Sequence, residues 1–213
     1  PSVKIPISDY NIIYTLYNKK LSGQLCEKLN IPVPETHNIK SLNQFEENID
    51  KYPIPSVIKM QNSNGAQGVF FVYSREELKI KYYDVIKKFG VKTNYPIVQQ
   101  LINAKIYGVS ILSNDGECTA EFVRKNIREK EDFGGVCTKA ESTHFDKIVD
   151  FSKKVIRHLN FTGVAFFEFL IDEENNKEYL MEINPRYWGT TDHDISCGIE
   201  FPYYQYCIAN NIK

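Results

Sequence analysis

Residues 180–189 read Leu-Met-Glu-Ile-Asn-Pro-Arg-Tyr-Trp-Gly, an apolar segment that is interrupted by two polar side chains. Glu182 and Asn184 are two positions apart, so in a β-strand they point to the same face. Pro185 has no N–H to donate and predicts the end of the strand, just before Arg186. A carboxylate and an amide oxygen on one face suit Mg²⁺, and the arginine beyond them suits phosphate. A solvated strand face is the other interpretation of this segment.

A second apolar segment strengthens the metal interpretation. Gly163–Ile171 is apolar apart from one acid, Glu168, and the polar segment Asp172–Lys177 that follows predicts a hairpin loop. A loop centred on Asn175 would place Glu168 directly opposite Glu182 on one face of the hairpin. Like charges opposed across strands destabilise the pair, so an apolar hairpin that carries them needs a counter-charge. A divalent cation between the carboxylates is the simplest one.

A third region combines a lysine with a glycine-containing loop. Pro55–Met60 predicts a strand that carries Lys59, and Gln61–Gly68 after it is small, polar and contains two glycines. Backbone N–H groups in such a loop can surround phosphate oxygens, because glycine permits close approach. The loop lacks the Gly-Lys-Ser/Thr ending of a Walker A motif. A solvated lysine beside an ordinary hairpin tip is the alternative.

Composition excludes several classes of protein. The chain has 213 residues, 42% hydrophobic and 25% charged, which is typical of a globular protein with a real core. A net charge of −1 gives no reason to expect nucleic acid or an anionic membrane as a partner. No apolar run approaches the ~18 residues that span a bilayer. The five cysteines are widely spaced without zinc-type pairs, which favours reduced thiols and a cytoplasmic protein.

Periodicity and turn signals predict an alternation of helices and strands. Residues 1–18 have no clear period, and the charged segment Ile127–Ser142 with its Gly134-Gly135 pair predicts a loop. Ser41 with Gln44 and Ser74 with Glu77 predict capping boxes. The predicted helices are Lys19–Asn30, one that begins after Ser41, one from Ser74 to about Lys88, Thr143–Asn160 and Phe201–Tyr206; the predicted strands are Pro55–Met60, Val69–Tyr73, Pro96–Ile102, Tyr107–Leu112, Glu117–Asn126 and the two strands of the acidic hairpin.

These segments, in this order, resemble the ATP-grasp superfamily, especially the branch with carbamoyl-phosphate synthase large chains and predicted ATP-dependent carboligases. The segment Glu-Ile-Asn-Pro-Arg at 182–186 carries most of the resemblance. The other matching segments are the helix that starts at Lys19 with Asn30–Pro34 after it, the strand Ser56–Lys59, the loop Ser63–Val69, the strand Ile97–Ile102 and the arginine-containing segment Phe122–Gly135.

The resemblance implies an α+β fold in two lobes, about 1–95 and 96–213, with ATP between two antiparallel sheets. Family members usually carry a preceding Rossmann-like domain, and no such domain fits before Lys19. The implied cofactors are ATP and Mg²⁺ (or Mn²⁺). The implied metal ligands are Glu168, Glu182 and Asn184. The implied nucleotide-binding residues are Lys19, Lys59, Ser63, Gly65, Gly68, Gln99, Gln100, Leu101 and Ile102. The implied catalytic residues are Arg186 and Arg128.

The implied activity is that of a carbon–nitrogen ligase. A small-molecule carboxylate attacks the γ-phosphate of ATP to give an acyl phosphate, and an amine or another nucleophile then displaces phosphate. Two alternatives stay open: a kinase-like phosphotransferase, and a nucleotide-binding module without chemistry. The family often has an acid that holds the ribose, and Lys105, Ile106 and Tyr107 occupy that region here. This difference, together with the missing preceding domain, supports the module as an alternative. A plain metal-binding hairpin would leave Lys59 and its loop unexplained.

Overall fold

The computed structural model describes residues 4–61, 68–131 and 134–212, and the chain divides into two compact units. One unit is Val33–Asn103, and the other combines Pro1–Pro32 with Ala104–Lys213. This division differs from the predicted boundary near residue 95. The strand Ile97–Gln100 belongs to the first unit because it pairs with Ser56–Lys59.

The unit Val33–Asn103 is a four-stranded antiparallel sheet with two α-helices. Its strand order is β1-β4-β2-β3, and Phe45 stacks on Tyr82 in its core at 3.9 Å between ring centroids. Both predicted capping residues are confirmed, since Ser41 Oγ accepts from the Gln44 N–H and Ser74 Oγ accepts from the Glu77 N–H. The elements are β1 (Thr36–Asn38), α3 (Leu42–Glu47), a 3₁₀ turn (Ile49–Lys51), β2 (Ser56–Lys59), β3 (Val69–Val72), α4 (Arg75–Phe89) and β4 (Ile97–Gln100).

The second unit is built on a five-stranded antiparallel sheet with the order β7-β6-β5-β8-β9. One sheet face packs against α5, an amphipathic helix, and α7 packs against β5 and β8. The elements are α1 (Tyr10–Tyr17), α2 (Lys19–Lys28), β5 (Lys105–Asn114), β6 (Glu117–Glu131), β7 (Gly134–Ser142), α5 (Asp146–Leu159), β8 (Gly163–Asp172), β9 (Lys177–Asn184), α6 (Thr191–Ser196) and α7 (Phe201–Asn210).

The prediction of a loop over Ile127–Ser142 is wrong. β6 continues to Glu131, and Gly134–Ser142 forms the edge strand β7. Three register shifts interrupt the β6–β7 ladder, between Asn126 and Glu131. Such irregular pairing blurs the two-residue alternation from which strands are predicted, so charge and the paired glycines dominated the sequence pattern.

Two helical regions complete the second unit. The unassigned N-terminal region contains α1, and both α1 and α2 pack against β9. The predicted C-terminal helix is confirmed as α7. None of the helices in the described part of the chain is long and apolar enough to cross a bilayer.

Candidate metal and phosphate site

The β8–β9 hairpin places its two acids face to face. Glu168 pairs directly with Glu182, as the sequence predicted. The predicted loop centre is half a residue off, because Asp172 pairs with Lys177 and the pairing runs regularly only as far as Phe169. Met181 is then an extra residue, a β-bulge that shifts the register by one. Without this bulge Glu168 would lie opposite Met181 instead.

The paired acids extend into a row that crosses four strands. Gly108 on β5 pairs with Glu168 on one side and with Arg124 on β6 on the other. The Phe166 ring and the Arg124 side chain fill the space above Gly108, since a Cβ there would lie 2.4 Å from Phe166 Cζ and 3.2 Å from Arg124 Nε. The Arg124 guanidinium lies 4.7 Å from the centroid of the Phe166 ring. The order Arg124–Gly108–Glu168–Glu182 therefore brings one cation and two acids onto one face.

The electrostatics of the acid pair show the cost of opposing two carboxylates. Burial and the neighbouring Glu182 raise the pKa of Glu168 well above its usual value, while Arg124 and Lys19 act in the opposite direction. Lys19 Nζ lies 3.2 Å from Glu182 Oε2, and its side chain is 9% exposed. Lys19 is held there because α2 begins at this residue, with the Asn18 side chain accepting two backbone N–H groups as the N-cap.

Asn184 and Arg186 continue the polar cluster past the end of β9. Asn184 Nδ2 donates to Glu182 Oε1 at 3.0 Å, and Arg186 Nη2 donates to Asn184 Oδ1 at 3.1 Å. Arg186 Nη1 also donates to the carbonyl of Tyr187, so the exposed guanidinium is held at the strand end. The structure thus joins Lys19, Glu182, Asn184 and Arg186 into one chain of contacts.

The oxygen donors on this face fit Mg²⁺. Glu168 and Glu182 supply two carboxylates, and Asn184 supplies an amide oxygen two residues from Glu182. Mg²⁺ is commonly bound by one or two carboxylates together with waters and phosphate oxygens. The described residues contain no cluster of three or more His, Cys, Asp or Glu side chains that could hold a metal ion.

The two arginines of β6, Arg124 and Arg128, lie in different environments. The predicted Arg128 is exposed, and its Nε donates to Thr138 Oγ1 on β7 at 3.0 Å. Arg124, which the sequence interpretation passed over, is 3% exposed and lies in the row of the two acids. The tight turn Asn114–Glu117 is the nearest signal, but counting back from it places Val123 opposite Gly108. The register shift between Leu112 and Ser113 brings Arg124 there instead.

The predicted phosphate-binding lysine and part of its loop lie on the sheet of the unit Val33–Asn103. Lys59 is 8% exposed at the end of β2, where it pairs with Val69 and Ile97. Gly68 has φ +76°, and a Cβ there would meet Met60 Cγ at 2.6 Å, so this position requires glycine. Ser63 and Gly65 lie outside the described residues.

The predicted adenine segment is a backbone-bonded strand end in the same unit. The Gln100 N–H donates to the Glu35 carbonyl at 2.8 Å, and the Leu101 N–H donates to the Pro55 carbonyl at 3.1 Å. The Gln99 side chain is buried and donates to Thr36 Oγ1 at 2.8 Å. Ile102 lies two residues after the end of β4. Structural roles already account for the Gln99 side chain and for the N–H groups of Gln100 and Leu101.

Comparison with known proteins decides the family. A family model described as an ATP-grasp domain matches residues 17–190, most of the chain. The chain belongs to the ATP-grasp family. The similar solved structures are ATP-grasp folds as well, which confirms the predicted α+β fold. The biotin carboxylase domain of the 2-oxoglutarate carboxylase of Hydrogenobacter thermophilus has a TM-score of 0.78 at 16% identity, covering 96% of this chain and 47% of that one.

Two curated proteins show the range of this ATP-grasp domain's relatives. The carbamoyl phosphate synthase large chain of Methanobrevibacter smithii is 24% identical over 206 residues, covering 86% of this chain and 18% of that protein. The D-alanine–D-alanine ligase of Clostridium novyi is 28% identical over 140 residues, covering 60% of this chain and 39% of that protein. The ATP-grasp domain described here therefore spans less than half the length of either relative.

Proposed function

We propose that this chain is the ATP-grasp domain of an ATP- and Mg²⁺-dependent carboxylate–amine ligase that acts through an acyl phosphate. The observation that carries the proposal is the direct opposition of Glu168 and Glu182, with Asn184 and Arg186 joined to Glu182 by hydrogen bonds. Two opposed carboxylates in an otherwise apolar hairpin are stabilised by a bound cation. Family membership supports ATP as the molecule that brings this cation.

Glu168, Glu182 and Asn184 would hold Mg²⁺. When bound, the ion supplies charge neutralisation and alignment for the phosphates. Glu182 and Asn184 lie on one strand face and share a hydrogen bond, while Asn184 Oδ1 accepts from Arg186 Nη2. Lys19 Nζ, 3.2 Å from Glu182 Oε2, adds a cation beside these metal ligands, where it would bind a phosphate oxygen.

Arg186 would stabilise the charge of the transferring phosphoryl group. Its guanidinium is exposed at the end of β9 and fixed by Asn184 Oδ1 and the Tyr187 carbonyl. A fixed donor fork of this kind needs no reorganisation as negative charge develops. Arg128 remains a proposed second contact, from its exposed position on β6.

The nucleotide would be held by Lys59, by the loop that contains Ser63, Gly65 and Gly68, and by the segment Gln99–Ile102. The positive φ of Gly68 and its tight packing on Met60 support a constrained entry to that loop. Solved relatives with the same fold include proteins crystallised with ADP, such as the N5-carboxyaminoimidazole synthetase of Staphylococcus aureus. All five cysteines are unpaired, which supports a reducing, cytoplasmic environment.

The test is ATP turnover by Glu182→Ala, with Glu174→Ala as the matched control. Glu174 is an exposed acid in the loop of the same hairpin. ADP release should be lost in Glu182→Ala, with circular dichroism unchanged, and retained in Glu174→Ala. Full activity of Glu182→Ala would overturn the metal assignment.

Product analysis with mixtures of carboxylates and amines then identifies the reaction. A ligase requires the second nucleophile for continued ADP release and forms an amide. A phosphorylated acceptor formed without any second nucleophile would identify a phosphotransferase. Tight ATP binding without ADP release in every mixture would identify a nucleotide-binding module.

A further inference from the structure

We propose that Asp194 is a positioning residue: its buried carboxylate draws the Arg124 guanidinium away from Glu168, which leaves Glu168 available to the metal ion. This inference rests on the proposed function, since it concerns the same metal site. It adds an acid from α6 that is neither a metal ligand nor on the hairpin.

Asp194 is a buried carboxylate with defined donors. It is 0% exposed, and its Oδ2 accepts from Ser110 Oγ at 2.8 Å and from Trp188 Nε1 at 2.9 Å. Its Oδ1 has no hydrogen-bond partner among the described residues, and His193 Nδ1 lies 3.8 Å from it. A buried carboxylate with one unsatisfied oxygen is stabilised by a nearby cation.

Arg124 is a second buried ion of the same cluster, and its charge favours the charged form of Asp194. The Nη1 group donates to Asn126 Oδ1, while the buried Nε has no acceptor among the described residues. Its guanidinium lies 4.7 Å from the centroid of the Phe166 ring. Both ions are therefore buried, and both are only partly satisfied by hydrogen bonds.

Side-chain stacking and strand register connect the two ions. Phe166 stacks on Trp188 at 5.4 Å between ring centroids, and Trp188 donates to Asp194. Ser110, the other donor to Asp194, pairs with Phe122, two residues before Arg124 on β6. Ser110 and Arg124 are therefore diagonal neighbours on one face of the sheet.

The guanidinium acts on two acids at once. It favours the charged form of Asp194 and also that of Glu168, which pairs with Gly108 beside Arg124. A Cβ on Gly108 would lie 3.2 Å from Arg124 Nε, and Gly108 pairs with Glu168, so the Arg124 side chain extends toward Glu168 beside the Phe166 ring. With Asp194 charged, the guanidinium has a second carboxylate to face. With Asp194 neutral, Glu168 is its remaining acidic partner in this cluster, and the cation then competes with the metal.

Binding of Mn²⁺ alone, followed by the loss of the free-ion electron paramagnetic resonance signal, measures the metal site without turnover. Asp194→Asn retains the size of the side chain and a hydrogen-bond acceptor but removes the charge. We expect this loss of one nearby charge to weaken Mn²⁺ binding about tenfold. Asp192→Asn removes an exposed acid from the same helix and controls for the general loss of negative charge. It should change the affinity by less than about twofold, because exposed charges are screened.

A double-mutant cycle distinguishes an effect of Asp194 that acts through Arg124 from the direct electrostatic effect of removing its charge. In an Arg124→Gln background, Asp194→Asn should no longer weaken Mn²⁺ binding, because the competing cation is gone. Trp188 is the only tryptophan of the chain and donates to Asp194, so its fluorescence reports whether each variant keeps the cluster folded. If Asp194→Asn fails to fold, Ser110→Ala, which removes one donor to Asp194, must weaken Mn²⁺ binding in the same Arg124-dependent way.

The outcomes distinguish this inference from the proposed function. Wild-type protein that binds no Mn²⁺, with or without ADP, would overturn both. Wild-type binding that Asp194→Asn leaves unchanged, or that it weakens equally in the Arg124→Gln background, would overturn the positioning role of Asp194 and leave the metal site in place.

Discussion

Gly108 is the residue on which the arrangement of Arg124 and Phe166 depends. A Cβ at this position would lie 2.4 Å from Phe166 Cζ, so the ring must move if a methyl group is added. We expect Gly108→Ala to lower the free energy of unfolding by about 1–3 kcal/mol, the usual range for overpacking. Urea unfolding, followed by circular dichroism, measures this change.

Gly23 provides the matched control for that substitution. It lies inside α2, and an added Cβ would meet no atom within 4 Å. Gly23→Ala should therefore stabilise the protein by about 0.5–1 kcal/mol, through the higher helix propensity of alanine. Equal effects of the two substitutions would mean that the close packing over Gly108 is not important for stability.

The cysteines should differ strongly in reactivity. Cys26 is fully buried, and burial raises the pKa of its thiol to about 12, whereas Cys197 is exposed. Since the thiolate is the nucleophile, iodoacetamide at pH 8 should modify Cys197 in the folded protein and leave Cys26 unmodified. Mass spectrometry of the digested protein measures this, and both residues should react in denaturant. Modification of Cys26 at the rate of Cys197 would contradict the burial of α2.

The raised pKa of the Cys26 thiol also makes the free energy of unfolding depend on pH. The folded chain keeps the Cys26 proton to about pH 12, while the unfolded thiol loses it near pH 9. The stabilising contribution is therefore fully present below pH 9 and decreases as the pH rises from 9 to 12.

At the level of elements, the N-cap of α4 is a local feature with a measurable energy. Ser74 Oγ accepts from the Glu77 N–H at 3.1 Å, and Glu77 Oε2 accepts from the Tyr73 N–H at 2.7 Å. Ser74→Ala removes the first of these acceptors, so we expect a loss of about 1 kcal/mol in the free energy of unfolding. Ser196→Ala, at the exposed end of α6, is the control and should have little effect. An unchanged unfolding midpoint for Ser74→Ala would show that the cap does not contribute.

The β8–β9 hairpin shows how far an element can be derived from its sequence. The alternation of Glu182 and Asn184 and the polar loop before them correctly predicted both strands and the pairing of Glu168 with Glu182. The bulge at Met181 was not predictable, because a single inserted residue has no sequence pattern of its own. Its position depends on how the neighbouring residues of the two strands pair. An error of half a residue in the assumed loop centre offset the missing bulge.

At the level of the whole chain, ligand binding should appear as thermal stabilisation. A ligand present at 100 times its Kd adds about 2.7 kcal/mol to the free energy of unfolding, which for this length is a rise of several degrees in Tm. We expect a rise with ATP that increases when Mg²⁺ is added, measured by calorimetry. Glu182→Ala should lose the Mg²⁺-dependent part, because its carboxylate holds the metal in the proposed site. A rise with ATP that is independent of Mg²⁺ would separate the nucleotide site from the acidic hairpin.

The division into two units is a property of the whole chain. The unit Val33–Asn103 is a continuous segment with its own aromatic core, whereas the second unit is assembled from two separate parts of the chain. The N-terminal part joins the second unit because α1 and α2 pack on β9, about 150 residues later in the sequence. Contacts over such distances leave no local pattern from which the grouping can be predicted.

The sequence by itself determined the features that depend on neighbouring residues. Side-chain alternation placed Glu182 and Asn184 on one face, Pro185 ended the strand, and Ser74 capped its helix, because each follows from local backbone geometry. The order of such segments was also sufficient to suggest the family, which the comparisons confirmed.

Only the tertiary structure decided which distant residues meet. It replaced the predicted loop after β6 with the strand β7, placed Arg124 beside the acids, and buried Asp194 beneath Ser110 and Trp188. Burial and cross-strand register are set by contacts between segments far apart in the chain, and the same short polar pattern is compatible with several of them.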